Sequence, residues 1–239
     1  MDSVDNIFSV LALDVGDDFV SDNPCSEASS SLPSANNGKM RENAKSPLDD
    51  NEAEAPVKLC KMPLVWIDLE MTGLDVEVDR ILEIACIVTD GQLKRIIEGP
   101  DLVISQSKEC LEVMNEWCQI HHGASGLKNK VLHSKICEKE AEEKVLKFVK
   151  RYVGSCTPLL AGNSVYMDLL FLKKYMPQLA SIFSHNLVDV SSVKALCVRW
   201  FPHEYRKAPP KSNKHRAIHD IRESILELKF YKQSIFKKG

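Results

Sequence analysis

The chain holds 239 residues, 44% of them hydrophobic and 27% charged, enough to bury one good core, and no apolar run approaches the length of a membrane span. Charge divides it unevenly: the first 60 residues carry twelve acidic side chains against four basic ones, a net −8, whereas the rest carries 27 basic against 22 acidic, a net +5. That second part is compatible with a polyanionic partner, and the eight cysteines, none at C-x-x-C spacing, exclude the common zinc and dithiol redox motifs.

Residues 1–60 read as a disordered acidic tail. The stretch SEASSSLPSANN and the acidic residues 45–55 offer too few bulky apolar side chains to offset the entropy of ordering. Residues 6–13 alone have the pattern of a short amphipathic turn of helix. That segment is flanked by aspartates rather than the basic residues of a signal peptide, and the N-terminus is more acidic than an organellar transit peptide. Cys86 and Cys197 fall inside apolar runs, where cysteine behaves as a small hydrophobe in a reducing compartment. A soluble cytoplasmic protein is expected, with a mitochondrial or other organellar pool left open.

From residue 61 the pattern is that of a folded domain, 61–239. The run LVWI, residues 64–67, predicts a buried strand that continues to Thr72-Gly73. ILEIACIVT (81–89) is a second strand, Asp90-Gly91 a hairpin signal, and residues 93–97 with 102–104 a third strand. Helical periodicity follows over 110–118 and 138–152. A short buried strand, 158–161, leads through Gly162-Asn163 into a helix over 165–175 that Pro177 stops. Another strand, 187–190, precedes a helix over 192–200, a basic Pro-rich loop and a last helix over 217–236. Antiparallel strands followed by strand-helix alternation predict an α/β fold: a mixed five-stranded sheet flanked by helices.

Chemistry gathers at four acids and a histidine. Asp68 and Glu70 stand two apart on the first strand, so both carboxylates share one face about 6.5 to 7 Å apart. Either one takes up a proton, or a hard cation such as Mg²⁺ or Mn²⁺ fills the space, unless the pair is simply solvated at a strand end. Asp168 falls in the first turn of a helix, where the helix dipole favours an acid in any case. Asp220 borders the apolar stripe Ile218, Ile221, Ile225, Leu228 of the last helix, and burying it needs a cation or donors. His215 precedes that helix. It is either a neutral imidazole able to accept a proton or a surface histidine beside Lys211, Lys214 and Arg216.

D-x-E on a first strand, an acid soon after G-N-S, and H-x4-D on a last helix resemble the DEDD exonucleases of the ribonuclease H-like fold, in their histidine branch. Five stretches sharpen the likeness to the oligoribonuclease family: WIDLEMTGLD, EW(x)4H(x)2SGL at 116–127, GNS(x)3D at 162–168, LVDVSS and HRAIHDIRESI. The resemblance covers about residues 63–238 and makes 61–239 an exonuclease domain. It implies two divalent cations, Mg²⁺ or Mn²⁺, held by Asp68, Glu70, Asp168 and Asp220, with His215 as general base. The implied substrate is a short single-stranded RNA, cut from its 3′ end to nucleoside 5′-monophosphates, and the implied assembly is a homodimer. Leu74 matches the residue that wedges between the two terminal bases, Trp117 and His122 match base-stacking residues, and Ser164 and Ser191 match a phosphate pocket. Core packing is the alternative for Leu74 and Trp117. The chain departs from the family at His185-Asn186, where a tyrosine and an arginine are common. Two rivals stay open: a DNA proofreading-type exonuclease and a catalytically inactive nucleic-acid-binding module of the same fold.

Overall fold

The computed structural model describes residues 59–210 and 216–236, all within one compact unit, Ala53–Gly239. The apolar run beginning at Leu64 forms β1 (Leu64–Met71), the middle strand of a five-stranded sheet. Antiparallel to it runs β2 (Ile81–Thr89), buried along its whole length, and antiparallel to β2 runs β3 (Ile96–Val103). On the other side β4 (Leu159–Gly162) and β5 (Leu187–Asp189) lie parallel to β1, giving the order β3-β2-β1-β4-β5. The mixed five-stranded sheet expected from the sequence is therefore present.

Between β3 and β4 come α1 (Lys108–Glu112), α2 (Glu116–Ala124), α3 (Leu127–His133) and α4 (Glu138–Val153). After β4 follow α5 (Tyr166–Tyr175) and α6 (Pro177–Ala180), and after β5 follow α7 (Val190–Trp200), α8 (Pro202–Tyr205) and α9 (Ala217–Ser234). Alternation along β1 sorts the core into two layers. Val65, Ile67 and Leu69 face Val145, Val149, Phe171 and Leu172 of α4 and α5. Leu64 and Trp66 face Ile218, Ile221, Ile225 and Tyr231 of α9 and Val190 and Cys197 of α7.

The structure departs from the sequence expectations at several places, the short helices α6 and α8 among them. The single helix expected over 110–118 is two, because Ser107 and Asn115 each start a helix by accepting the N–H of Cys110 and Cys118, at 3.2 and 2.8 Å. Helix α3 was not expected, and Gly126, with φ +73°, turns the chain into it. The third strand runs unbroken through Gly99-Pro100. Helix α7 starts at Val190, where a strand was expected, because the Asp189 carboxylate accepts the N–H groups of Ser191 and Ser192. The expected tail lies outside the described residues except at its end. There Cys60 is buried and its N–H donates to the Tyr152 carbonyl at 3.0 Å, so the packed part begins before residue 61. Residues 6–13, His215 and residues 211–214 of the basic loop also lie outside the described residues. Among the described residues no helix is long and apolar enough to cross a membrane.

Candidate active site

The face of β1 that begins with Leu64 and Trp66 continues with Asp68 and Glu70, and α9, which packs on that face, brings Asp220 in its first turn. One carboxylate oxygen from each of Asp68, Glu70 and Asp220 lies within 4.8 Å of the others. Asp168 reaches the same strand end from α5. Its Oδ1 accepts the Leu69 N–H at 2.9 Å, the amide between the two acids of β1. Beyond a helix-dipole role, then, this carboxylate ties α5 to β1 at the site. The β1–β2 register slips between Glu70 and Met71, so that Ile81 joins the other layer while Glu83 still pairs with Glu70. Bulges of this kind re-aim side chains at strand ends.

Four carboxylates so close are costly to ionise together. Burial first, and then the charges of Asp168, Glu70 and Asp220, push Asp68 well above the usual carboxylate range. Burial and the Asp220 charge push Glu70 up to about 8. Asp168 is pushed to about 8 by burial, against the lowering effect of the Leu69 N–H. The donors fit a hard divalent cation: all are oxygens, and ligands about 2.1 Å from one Mg²⁺ stand at most ~4.2 Å apart, close to the separation found.

The surroundings hold these acids in place. Glu83 has no exposed surface and grips the Arg216 guanidinium through Nε at 3.1 Å and Nη2 at 2.7 Å. His122 is buried, 1% exposed, with Nε2 2.9 Å from the Met71 carbonyl and Nδ1 3.8 Å from Glu70 Oε2. A carbonyl only accepts, so Nε2 carries a proton and Nδ1 is the nitrogen turned toward Glu70. The resemblance gave His122 a stacking role. Trp117 stacks with the ring of the neighbouring His121, 3.9 Å between centroids and 21° between planes. Cys118 and His122 lie on the helix's buried side, as its periodicity places them.

Leu74, half-buried, sits on a loop closed on itself. Asp79 accepts the Thr72 hydroxyl at 2.7 Å and the Asp75 N–H at 2.9 Å, and Tyr175 donates its hydroxyl to the Val76 and Asp79 carbonyls. Gly73 is required there, since a Cβ would stand 2.3 Å from the Asp79 carboxylate. Ser164 and Ser191 are brought together. The Ser164 N–H donates to Asp189 Oδ1 at 3.0 Å and lies 3.1 Å from Ser191 Oγ, and Ser164 holds φ +48° to do so. This places both hydroxyls at the N-terminus of α7, the end of a helix that favours anions. His185 and Asn186 are exposed.

Residues 65–228 match the exonuclease family, the class that this sheet and its acid set define. The chain is 61% identical over 237 residues to the oligoribonuclease of Arabidopsis thaliana, covering 99% of both chains. It is 51% identical to the mitochondrial oligoribonuclease of Homo sapiens, over 73% of this chain and 74% of that one, and 49% identical to the oligoribonuclease of Pasteurella multocida, over 74% and 96%. Among solved structures, exonuclease I from Methylocaldum szegediense superposes with a TM-score of 0.58 at 16% identity, covering 74% of this chain and 41% of that one. Exonuclease I of E. coli gives 0.56 at 14% over 73% and 41%. At such identities the structures share the fold alone, and this chain spans about two-fifths of their length. The chain belongs to the oligoribonuclease family of 3′-to-5′ exoribonucleases.

Proposed function

We propose that this chain hydrolyses short single-stranded oligoribonucleotides, dinucleotides upward, from the 3′ end to nucleoside 5′-monophosphates, using two divalent cations, Mg²⁺ or Mn²⁺. The observation that carries the reading is the convergence of Asp68, Glu70 and Asp220 within 4.8 Å beside an Asp168 held by the Leu69 N–H. When bound, the ions supply Lewis-acid polarisation of the phosphodiester and offset the charge that grows on it. Asp68, Glu70 and Asp220 hold one ion, and Asp68 with Asp168 holds the other. His215 takes the proton of the attacking water as its oxygen bonds to phosphorus and the bond to the 3′ oxygen breaks, the leaving oxygen gaining a proton. Trp117 offers an exposed ring to a base and Leu74 a fixed apolar edge. His122, buried against Glu70 and the Met71 carbonyl, serves with Trp117 as a base-contacting residue, and Ser164 and Ser191 take the 5′ phosphate.

The test is to mix the purified chain with RNA of two to about twenty nucleotides, with and without EDTA. Mononucleotides that form only without chelator support the reading. Faster cleavage of long DNA than of dinucleotides favours the proofreading alternative, and chelator-insensitive RNA binding without turnover favours an inactive module. His215→Ala is expected to lower turnover on the order of 10² to 10⁴ and to remove one limb of the pH profile. An unchanged profile moves the role to His219. A homodimer accords with the exposed apolar end of α7, Leu196, Trp200 and Phe201, and sedimentation showing a fully active monomer removes it. Imaging the chain fused to a fluorescent protein decides between a cytoplasmic and an organellar pool.

A further inference from the structure

We infer that Glu83 is a positioning residue of the active site: through Arg216 and the Ala217 N–H it sets where α9 begins, and so where Asp220 stands against Asp68 and Glu70. The inference rests on the metal-binding reading above. A carboxylate with no exposed surface is expensive unless paired, and the residues that follow Glu83 on the same face of β2, Ala85 and Ile87, are apolar and packed. The charge at 83 is directed at one object. Both its oxygens meet the Arg216 guanidinium, and Oε2 also accepts the Ala217 N–H at 3.3 Å. That N–H is one of the donors a helix start leaves without an intrahelical partner.

A side chain and an adjacent main-chain amide, gripped by one carboxylate, fix both the height and the rotation of the first turn. Asp220 lies three residues on, within that turn, so a shift there carries it away from the other two acids. Glu83 pairs directly with Glu70 across the β1–β2 ladder, so the anchor and the ligand share one register. The same helix has a second arginine tie, Arg222 to Glu98 on β3, at 2.8 Å for both contacts. That tie lies at the surface, and it serves as an internal control for mere attachment of the helix.

The experiment uses the full chain and two readouts: Mn²⁺ binding by calorimetry without substrate, and kcat and KM on a dinucleotide. Glu83→Gln is expected to weaken Mn²⁺ binding and to lower kcat by about 10- to 100-fold, with KM little changed. Glu98→Gln should leave both at the wild-type level. The double variant Glu83→Met with Arg216→Met removes both charges and the grip while keeping the volume apolar, a replacement that folded proteins tolerate. Under the inference it keeps its melting temperature but not its Mn²⁺ affinity or kcat. Wild-type affinity and turnover in the double variant would overturn it, showing that the pair only balances its own charges, and this holds even where Glu83→Gln fails to fold. Equal losses in Glu98→Gln would overturn it as well. A wild-type chain that binds no Mn²⁺ removes the metal-binding reading and the inference with it.

Discussion

The seam between β1 and α9 has two ends made from the same two elements and the same face of the sheet. At one end Leu64 and Trp66, with Ala85 and Ile87 of β2, meet Ile221, Ile225 and Tyr231. At the other, only a few residues along each element, Asp68, Glu70 and Asp220 converge, beside a Glu83 that holds the Arg216 guanidinium. Burying a large apolar side chain contributes about 1.5 to 3 kcal/mol, whereas gathering like charges out of water costs free energy. The apolar end thus holds α9 against a repulsion that would otherwise drive its first turn off the sheet. The contrast shows where stability and chemistry are divided within one helix-strand contact.

The largest expected effect removes the acidic end. Asp68→Asn, Glu70→Gln, Asp168→Asn and Asp220→Asn should each cut hydrolysis by on the order of 10³ or more, since each withdraws several kcal/mol of ion-based stabilisation. In EDTA, Asp68→Asn and Glu70→Gln should melt higher than the parent. Full activity in any one of the four would sink the two-ion assignment, and a lower melting temperature in those two would show that the acids do not strain the seam. The complementary cut, Trp66→Ala, should cost about 3 to 5 kcal/mol in urea unfolding. It also takes away the indole N–H that donates to the Thr89 hydroxyl at 3.0 Å. The protein that stays folded should bind Mn²⁺ as before.

A third test reads the strain through pH. Burial holds Glu70 and Asp168 up to about 8, whereas in the unfolded chain such groups ionise near ~4. Between those values the folded chain binds more protons than the unfolded one, so stability falls as pH rises from about 4 through about 8. The melting temperature in EDTA should drop across that window, and Mn²⁺ should restore most at its upper end. A flat profile in EDTA would mean that the acidic end carries little strain. The smallest effect lies outside the seam, before β5. Asn186 is exposed and offers only neutral donors, so Asn186→Arg should raise the preference for a 5′-phosphorylated over an unphosphorylated dinucleotide by about tenfold, the low end for a charged hydrogen bond. A strong preference already present in the parent would show that another cation serves the phosphate.

What could be read from the chain follows the range of each interaction. The alternation of β1, the D-x-E pair and the stripe of α9 are local patterns, and they gave the strand, the shared face and the side from which Asp220 approaches. Asp168 was legible as a first-turn acid, but its bond to the Leu69 N–H joins residues 99 apart and leaves no local trace. Glu83 sits in an ordinary strand run, ILEIACIVT, and Arg216 in a basic stretch, so their pairing across 133 residues was invisible. The split of α1 from α2 was missed for the opposite reason. Ser107 and Asn115 are local caps, but the apolar positions flanking Asn115 run on as if through one helix.

Glu70 comes from the first strand and Asp220 from the last described helix, 150 positions further on. During synthesis β1 through α8 are made before α9, and until α9 docks the part of the Trp66 face that receives Ile218, Ile221, Ile225 and Tyr231 lies uncovered. A nascent chain in that state holds two of the three clustered carboxylates and an apolar surface open to aggregation. On the proposed ion assignment, the site is therefore completed only when α9, the last of its elements to be made, docks on the sheet.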